Sequence, residues 1–218
     1  MKVQGVIFDM DGLMFDSEKL YYQANLAAAK QMKLDYSDDY YERFIGASDE
    51  DLMAFFREAF GSEAQVQEFM RLTYQAIDQA IHQGRLEKKP GLDELIAYLE
   101  QQQISKAIAS SNFKTKISDF LTATQTASHF PTIISMDDVA KGKPAPDLFA
   151  AARAALGTPA AETLVLEDSL NGLLAAQAAG IPCIIVPDLI KPIVQMQAQA
   201  LTIVPDLLAV RDFIRNNH

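Results

Sequence analysis

The sequence lacks the features that mark membrane-spanning, disulfide-stabilised and nucleic-acid-binding proteins. Its longest apolar runs are far too short to span a bilayer. Its single cysteine, Cys183, cannot form an internal disulfide and is expected to pack as a small buried hydrophobic residue. It has 19 Lys and Arg residues against 29 Asp and Glu, a formal net charge of −10, and no basic cluster along the sequence offsets this excess. These absences argue against nucleic acid or an anionic membrane as a partner.

Internal repeats and low-complexity segments are also missing. The 218 residues suit one large domain, or one domain with a smaller insert. A content of 49% hydrophobic and 22% charged residues is typical of a globular protein with a sizeable core. The chain reaches Asp9 before a signal-peptide core could form. We therefore expect a cytoplasmic protein, a monomer or weak dimer, whose anionic ligands would need neutralising by a metal or a lysine.

Short apolar runs recur through most of the chain. Each run has four or five residues and is continuous rather than alternating, which suits strands buried on both faces. Helical stripes separate several of them, for example Leu92, Leu95 and Leu99. This alternation predicts an α/β fold, a Rossmann-like parallel sheet with helices on both faces. The predicted strands are 5–8, 106–109, 132–135, 163–166, 182–186 and 201–204.

One long segment breaks this alternation. Between residues 17 and 85 the apolar residues recur only at helical spacing, as Leu52, Phe55 and Phe56 do. Roughly seventy residues are too many for a crossover loop. We therefore predict a helical domain over residues 16–85, inserted into an α/β core that consists of residues 1–15 and 86–218.

Acidic and polar residues follow three of the predicted strands. In open α/β sheets the ligand site lies beyond the carboxyl ends of the strands, so these residues are expected to meet there. The segment KGKPAPD, which contains Lys143, precedes a helical pattern in the same half of the chain. The residues that follow the strands are Asp9, Asp11, Ser110, Ser111, Asn112, Glu167, Asp168 and Ser169.

Most of these residues also have a purely structural interpretation. Asp or Ser after a strand often forms a turn or caps the next helix. Taken singly, Ser110 fits a helix cap, and the KPAPD segment fits a stiff turn with Asp147 near a helix start. The pair Glu167 and Asp168 is consistent with either interpretation.

The pair Asp9 and Asp11 is harder to explain in this way, because the residues around it are apolar. Two carboxylates this close and partly desolvated cannot both ionise cheaply without a cation. Glu167 and Asp168 bring the number of acidic groups at this edge to four. Mg²⁺ suits such a set, since it is a hard ion that binds a few carboxylates together with substrate phosphate.

Together these segments resemble the four motifs of the haloacid dehalogenase superfamily. The motifs are DMDGLMFDS, Ser110 after a strand, Lys143 of KPAPD, and LEDS, and they occur in the right order across nearly the whole chain. The helical insert follows the first of them. Within the superfamily, the chain resembles the β-phosphoglucomutase-like and sugar-phosphate phosphatase branch.

The resemblance implies a role for each acidic residue. Asp9 would be the nucleophile that forms an aspartyl-phosphate. Asp11 would protonate the leaving alcohol and then activate water. Mg²⁺ would be held by Asp9, the main-chain carbonyl of Asp11 and Asp168, with Glu167 beside it.

The resemblance also implies how the substrate is bound. Lys143 and Ser110 would bind the phosphoryl oxygens, helped by Ser111 and Asn112. The helical insert would be a cap that closes over the site and selects the leaving group.

The insert departs from the mutase subgroup. That group has a Lys before the Gly and an Arg after the Ser of a cap loop, but here the loop reads Ile45-Gly46-Ala47-Ser48-Asp49. A His expected on the first cap helix is replaced by Tyr21. An acidic residue in place of a phosphate-binding Arg argues against a bisphosphate intermediate. Hydrolysis is therefore favoured, with specificity set by Tyr21, Gly46, Ser48 and Asp49.

Several alternatives remain open at this stage. One is a phosphosugar mutase of the β-phosphoglucomutase type, and another is a non-catalytic sugar-phosphate sensor. A dehalogenase would not need a metal or the second carboxylate, and a receiver-type signalling domain would not explain the helical insert. The expected substrates are small phosphorylated metabolites, sugar or polyol phosphates first, with phosphoglycolate and nucleotides behind them.

Overall fold

The structure, a computed structural model, describes residues 2–36, 49–189 and 191–217, with the backbone alone at 49–51. The chain divides into two compact units, one of Met1–Asp16 with Lys88–His218 and the other of Ser17–Glu87. In the described part of the chain, no helix combines the length and the apolar character needed to cross a membrane.

The larger unit is built on a six-stranded parallel sheet. The strand order is β3-β2-β1-β4-β5-β6, and every neighbouring pair is parallel. The predicted α/β fold with a parallel sheet is therefore confirmed. The strands are β1 (Gly5–Phe8), β2 (Ser105–Ala109), β3 (Ile133–Ile134), β4 (Thr163–Glu167), β5 (Cys183–Ile185) and β6 (Thr202–Ile203).

The outermost strands differ from their predicted lengths. The segments 132–135 and 201–204 were expected to contribute four residues each, but β3 and β6 have two residues each. Both are edge strands with a single neighbour, so fewer of their residues can pair and their apolar side chains are only half-buried. The central strands β1 and β4 are fully buried, as their continuous apolar sequences require.

The smaller unit is helical in its described residues. It contains α1 (Ser17–Met32), α2 (Asp49–Phe60) and α3 (Glu63–His82). Phe56, Phe60 and Phe69 form its core, with ring centroids 4.8 to 5.2 Å apart. Over the described residues of this segment, the predicted helical periodicity is confirmed.

Helices of the larger unit pack against the sheet. Cys183 on β5 lies in the hydrophobic core between the sheet and these helices. It is 3% exposed, so the prediction that it is buried is confirmed. The helices are α4 (Leu92–Gln101), α5 (Lys114–Ala123), α6 (Asp147–Leu156), α7 (Leu170–Ala178), α8 (Val194–Gln199) and α9 (Leu207–Asn217). Short 3₁₀ turns lie at Ala127–His129, Met136–Asp138 and Ala160–Glu162.

The register of the central strands positions the site. Phe8, the last residue of β1, is paired with Ile108 of β2 on one side and with Leu166 of β4 on the other. The three strands therefore end at nearly the same position along the strand direction. The residues that follow them are brought to one edge of the sheet.

Candidate active site

Asp9 is the first residue after β1 and is almost buried. Its backbone N–H donates to the carbonyl of Leu166 at 3.0 Å, which extends the pairing of β1 with β4 by one residue. Its side chain is 9% exposed, and Oδ1 accepts a hydrogen bond from Nζ of Lys143. The fold thus holds a carboxylate and an ammonium group in contact inside the protein.

Lys143 bridges two buried carboxylates. Besides Asp9, its Nζ donates to Oε1 of Glu167 at 2.6 Å, and it lies 4.9 Å from the ring centroid of Phe149 on α6. Burial alone would lower the pKa of Lys143, but Asp9 and Glu167 outweigh it and raise that pKa. Lys143 therefore stays protonated at the bottom of the site.

Glu167, the last residue of β4, has both carboxylate oxygens occupied. Oε2 accepts hydrogen bonds from the N–H of Asp168 at 2.9 Å, from the N–H of Ser169 at 2.8 Å and from Oγ of Ser169 at 2.9 Å. Ser169 is also the N-cap of α7, since its Oγ accepts from the N–H of Gly172 at 3.0 Å. The helix start and the acidic residue are thus fixed together.

The environments of Asp9 and Glu167 shift their pKa values in opposite directions. Burial raises the pKa of Asp9 to about 8, with Glu167 and Asp11 adding to the rise and Lys143 opposing it. Burial also acts to raise the pKa of Glu167, but Lys143 and the donors around Oε2 lower it overall. In the protein alone, Asp9 is therefore the carboxyl group that needs further positive charge to stay ionised.

A divalent cation fits this group of carboxylates. Oxygen atoms of Asp9, Glu167 and Asp168 all lie within 4.8 Å of one another. Carboxylate oxygens are the ligands that Mg²⁺ prefers. Glu167 already accepts four hydrogen bonds, so both of its carboxylate oxygens are occupied by donors in the protein alone.

Asp11 lies beside the residues that follow β2. Its Oδ2 accepts a hydrogen bond from Nδ2 of Asn112 at 2.5 Å. Oγ of the buried Ser110 accepts from the N–H of Asn112 at 3.1 Å. Ser110 does not cap the following helix, because α5 begins only at Lys114 with Phe113 as its N-cap. Ser111, between the two, is exposed.

The structure thus brings most of the predicted site residues to one edge of the sheet. They form two hydrogen-bonded groups, one around Lys143 and one around Asn112. The residues of the helical insert that were predicted to set substrate specificity are only partly described. Tyr21 lies on α1 and is half-buried, and the backbone of Asp49 begins α2. Gly46 and Ser48 lie outside the described residues.

Sequence reasoning gave no role to Gly12 of the DMDG segment and missed Gly172 and a carboxylate at this edge. A Cβ on Gly12, whose φ is +74°, would come within 2.4 Å of Oδ2 of Asp168. A Cβ on Gly172 would come within 1.8 Å of the Glu167 carboxyl carbon. Asp188 follows β5 and is paired with Lys89. The rule that placed the other residues, a polar group after a buried strand, would also have selected Asp188.

The fold and the buried charges at its edge are those of an enzyme of the doubly wound α/β class. The chain belongs to the haloacid dehalogenase-like hydrolase family, whose family model matches residues 6–186. The resemblance drawn from the four motifs is therefore confirmed.

Individual relatives agree with this membership. The chain is 26% identical over 179 residues to a phosphorylated carbohydrates phosphatase of Thermotoga maritima, covering 82% of each chain. It is 33% identical over 199 residues to the protein CbbY of Cupriavidus necator, covering 85% of this chain and 78% of that one. Among solved structures, a hydrolase from Pseudomonas syringae superposes with a TM-score of 0.82 at 26% identity, covering 99% of both chains.

Proposed function

We propose that the protein is a Mg²⁺-dependent phosphatase that hydrolyses small phosphomonoesters through an aspartyl-phosphate, an acyl phosphate formed on Asp9. The observation that carries this proposal is the buried contact of Asp9 with Lys143, next to the carboxylates of Glu167 and Asp168. A carboxylate nucleophile needs neighbouring positive charge when it approaches a phosphate dianion. Lys143 supplies one such charge, and the carboxylate cluster suits a cation that supplies the other.

In the first half of the reaction, an oxygen of Asp9 attacks phosphorus and the bond from phosphorus to the alcohol oxygen breaks. Asp11 donates a proton to the leaving alcohol. Asn112 positions Asp11 for this step through the 2.5 Å hydrogen bond to Oδ2. Lys143 and Ser110 bind the equatorial phosphoryl oxygens.

In the second half, Asp11 accepts a proton from water, which attacks phosphorus and releases inorganic phosphate from Asp9. When bound, Mg²⁺ would supply positive charge to Asp9 and to the transferring phosphoryl group, held by Asp9, the main-chain carbonyl of Asp11 and Asp168.

The proposed substrates are sugar or polyol phosphates. The name of the Thermotoga maritima relative, a phosphorylated carbohydrates phosphatase, supports this class. We propose that the helical unit acts as the cap that selects the leaving group. The sequence Ile45-Gly46-Ala47-Ser48-Asp49 lacks the cations that a mutase would need there.

A substrate screen tests the proposed function. Purified protein is incubated with a panel of sugar, polyol and nucleoside monophosphates, phosphoglycolate and an aryl phosphate, and released phosphate is measured. We expect hydrolysis with Mg²⁺, loss of hydrolysis in excess chelator and recovery when Mg²⁺ is restored. The matched control is Asp9→Asn, which keeps the shape of the side chain but removes the nucleophile. Full activity in chelator, or in Asp9→Asn, would contradict the proposal.

A further inference from the structure

Asp188 is a buried carboxylate outside the set of residues discussed for the reaction. It lies beyond the carboxyl end of β5, and its side chain is 5% exposed. Its Oδ1 accepts a hydrogen bond from Nζ of Lys89 at 2.5 Å. Its Oδ2 is buried and has no hydrogen-bond partner among the residues that the structure describes. A buried carboxylate oxygen without a donor is costly, so this atom calls for an explanation.

The unpartnered oxygen of Asp188 points toward the carboxylate cluster. A Cβ atom added to Gly12 would lie 2.4 Å from Oδ2 of Asp168 and 3.3 Å from Oδ2 of Asp188. The two carboxylate oxygens therefore flank the same small space beside Gly12. Gly12 has a positive φ, which favours glycine, and a glycine leaves that space free of a side chain.

The local charge balance favours an additional cation or donor at this place. Asp9 and Glu167 share the ammonium group of Lys143, Asp168 belongs to the same carboxylate cluster, and Asp188 adds a further carboxylate with Lys89 as its partner. Mg²⁺ retains several water molecules in proteins, and these waters donate hydrogen bonds to carboxylates around the site. A water of this kind is a donor that matches the free oxygen of Asp188.

We propose that Asp188 is a positioning residue of the metal site, whose Oδ2 accepts a hydrogen bond from a cation-bound water next to Asp168. The proposal rests on the metal dependence put forward above. Lys89 holds Oδ1 and thereby orients Oδ2 toward Asp168. A purely structural ion pair would have no need to leave a buried oxygen beside another carboxylate.

The test compares Asp188→Asn with Lys89→Met in the full-length protein. Both variants remove the same ion pair, so a purely structural role predicts the same effect in both. The affinity for Mg²⁺ is measured by titration calorimetry without substrate, and the thermal unfolding midpoint of the metal-free protein reports folding. We expect Asp188→Asn to weaken Mg²⁺ binding by roughly tenfold or more. Lys89→Met should bind Mg²⁺ as tightly as the wild type or more tightly, because it removes a neighbouring positive charge.

The double variant Asp188→Asn/Lys89→Met covers the case in which Asp188→Asn alone does not fold. Compared with Lys89→Met, it differs only in the carboxylate and should bind Mg²⁺ roughly tenfold more weakly. Equal weakening in both single variants, or unchanged affinity when the carboxylate is removed, would overturn the role of Asp188. If the wild type itself binds no Mg²⁺, the proposed function fails and this inference fails with it.

Discussion

At the scale of single residues, the site is made by the different surroundings of similar carboxyl groups. Glu167 has every oxygen occupied by donors, whereas Asp9 is buried against one lysine and has a raised pKa. The sequence predicts Asp9 and Asp11 as site residues, because two neighbouring carboxylates in an apolar segment are costly without a cation. It did not reveal which carboxylates are saturated by hydrogen bonds, because that depends on contacts between distant segments such as the one from Lys143 to Glu167.

Gly172 gives a prediction at this scale. Helix propensity alone would make Gly172→Ala stabilising by about 1 kcal/mol. The added Cβ would, however, overlap the Glu167 carboxylate at 1.8 to 2.4 Å. Overpacking of this kind costs about 1–3 kcal/mol, and the displaced carboxylate also loses buried hydrogen bonds. We expect a net loss of about 2 kcal/mol in the free energy of unfolding measured in urea, together with impaired hydrolysis.

A matched control for this substitution is Gly157→Ala. Gly157 has a φ of +68° but nothing within 4 Å of an added Cβ, so it tests backbone strain without overlap. Its cost should be about 1 kcal/mol, with hydrolysis unchanged. A Gly172→Ala protein more stable than the wild type would show that Glu167 is not held where the structure places it.

At the scale of elements, the sequence predicts where a buried strand such as β1 ends, but it does not predict what the residues of the following turn do. The central strand β1 occupies the predicted residues 5–8, because a buried parallel strand leaves a continuous apolar run. Taken singly, Ser110 fits a helix cap, but its hydroxyl instead accepts a hydrogen bond from the N–H of Asn112 within the turn. A serine after a strand fits both roles, and only the position of the helix start at Lys114 separates them.

The helical unit carries a prediction on pH dependence. Burial raises the pKa of Tyr36 to about 12, which outweighs the lowering effect of the hydrogen bond from Asn25. A phenol whose folded-state pKa lies above its unfolded value stabilises the fold below the unfolded pKa, and that contribution is lost as the pH rises. The unfolding midpoint should therefore fall between about pH 10 and pH 12, and less steeply in Tyr36→Phe.

The control for this prediction is the same comparison of Tyr36→Phe with the wild type at pH 7, where the phenol is protonated in the folded and the unfolded state. It measures the effect of the lost hydrogen bond from Asn25 apart from titration. Identical profiles for Tyr36→Phe and the wild type would contradict the burial of the Tyr36 hydroxyl.

At the scale of the whole molecule, the chain combines a unit built on a parallel sheet, which carries the candidate site at its edge, with a helical unit. The order of motifs along the chain was sufficient to predict the fold and the family, since both depend on elements that the sequence pattern marks directly. Under the proposed function, substrate choice would depend on residues of the insert, and the loop with Gly46 and Ser48 lies outside the described residues.

The balance between hydrolysis and phosphate transfer gives a prediction at this scale. A second phosphate near Asp49 would meet a like charge and would lack the bidentate donor that an Arg provides. We expect release of inorganic phosphate from sugar monophosphates and negligible conversion of β-glucose 1-phosphate to glucose 6-phosphate, even with a bisphosphate primer. The two products are measured in the same reaction. Faster isomerisation than phosphate release would contradict the assignment as a phosphatase.

The central claim is that Asp9 carries the phosphoryl group, and trapping of the phosphoenzyme tests it most directly. The wild type, Asp9→Asn and Asp11→Asn proteins are mixed with a ³²P-labelled aryl phosphate and Mg²⁺, quenched in acid within milliseconds, and digested for mass spectrometry. We expect label on Asp9 that accumulates in Asp11→Asn, because attack by water is slowed while an activated leaving group still departs. We expect no label in Asp9→Asn. Labelled Asp9→Asn protein, or label on a residue other than Asp9, would contradict the central claim.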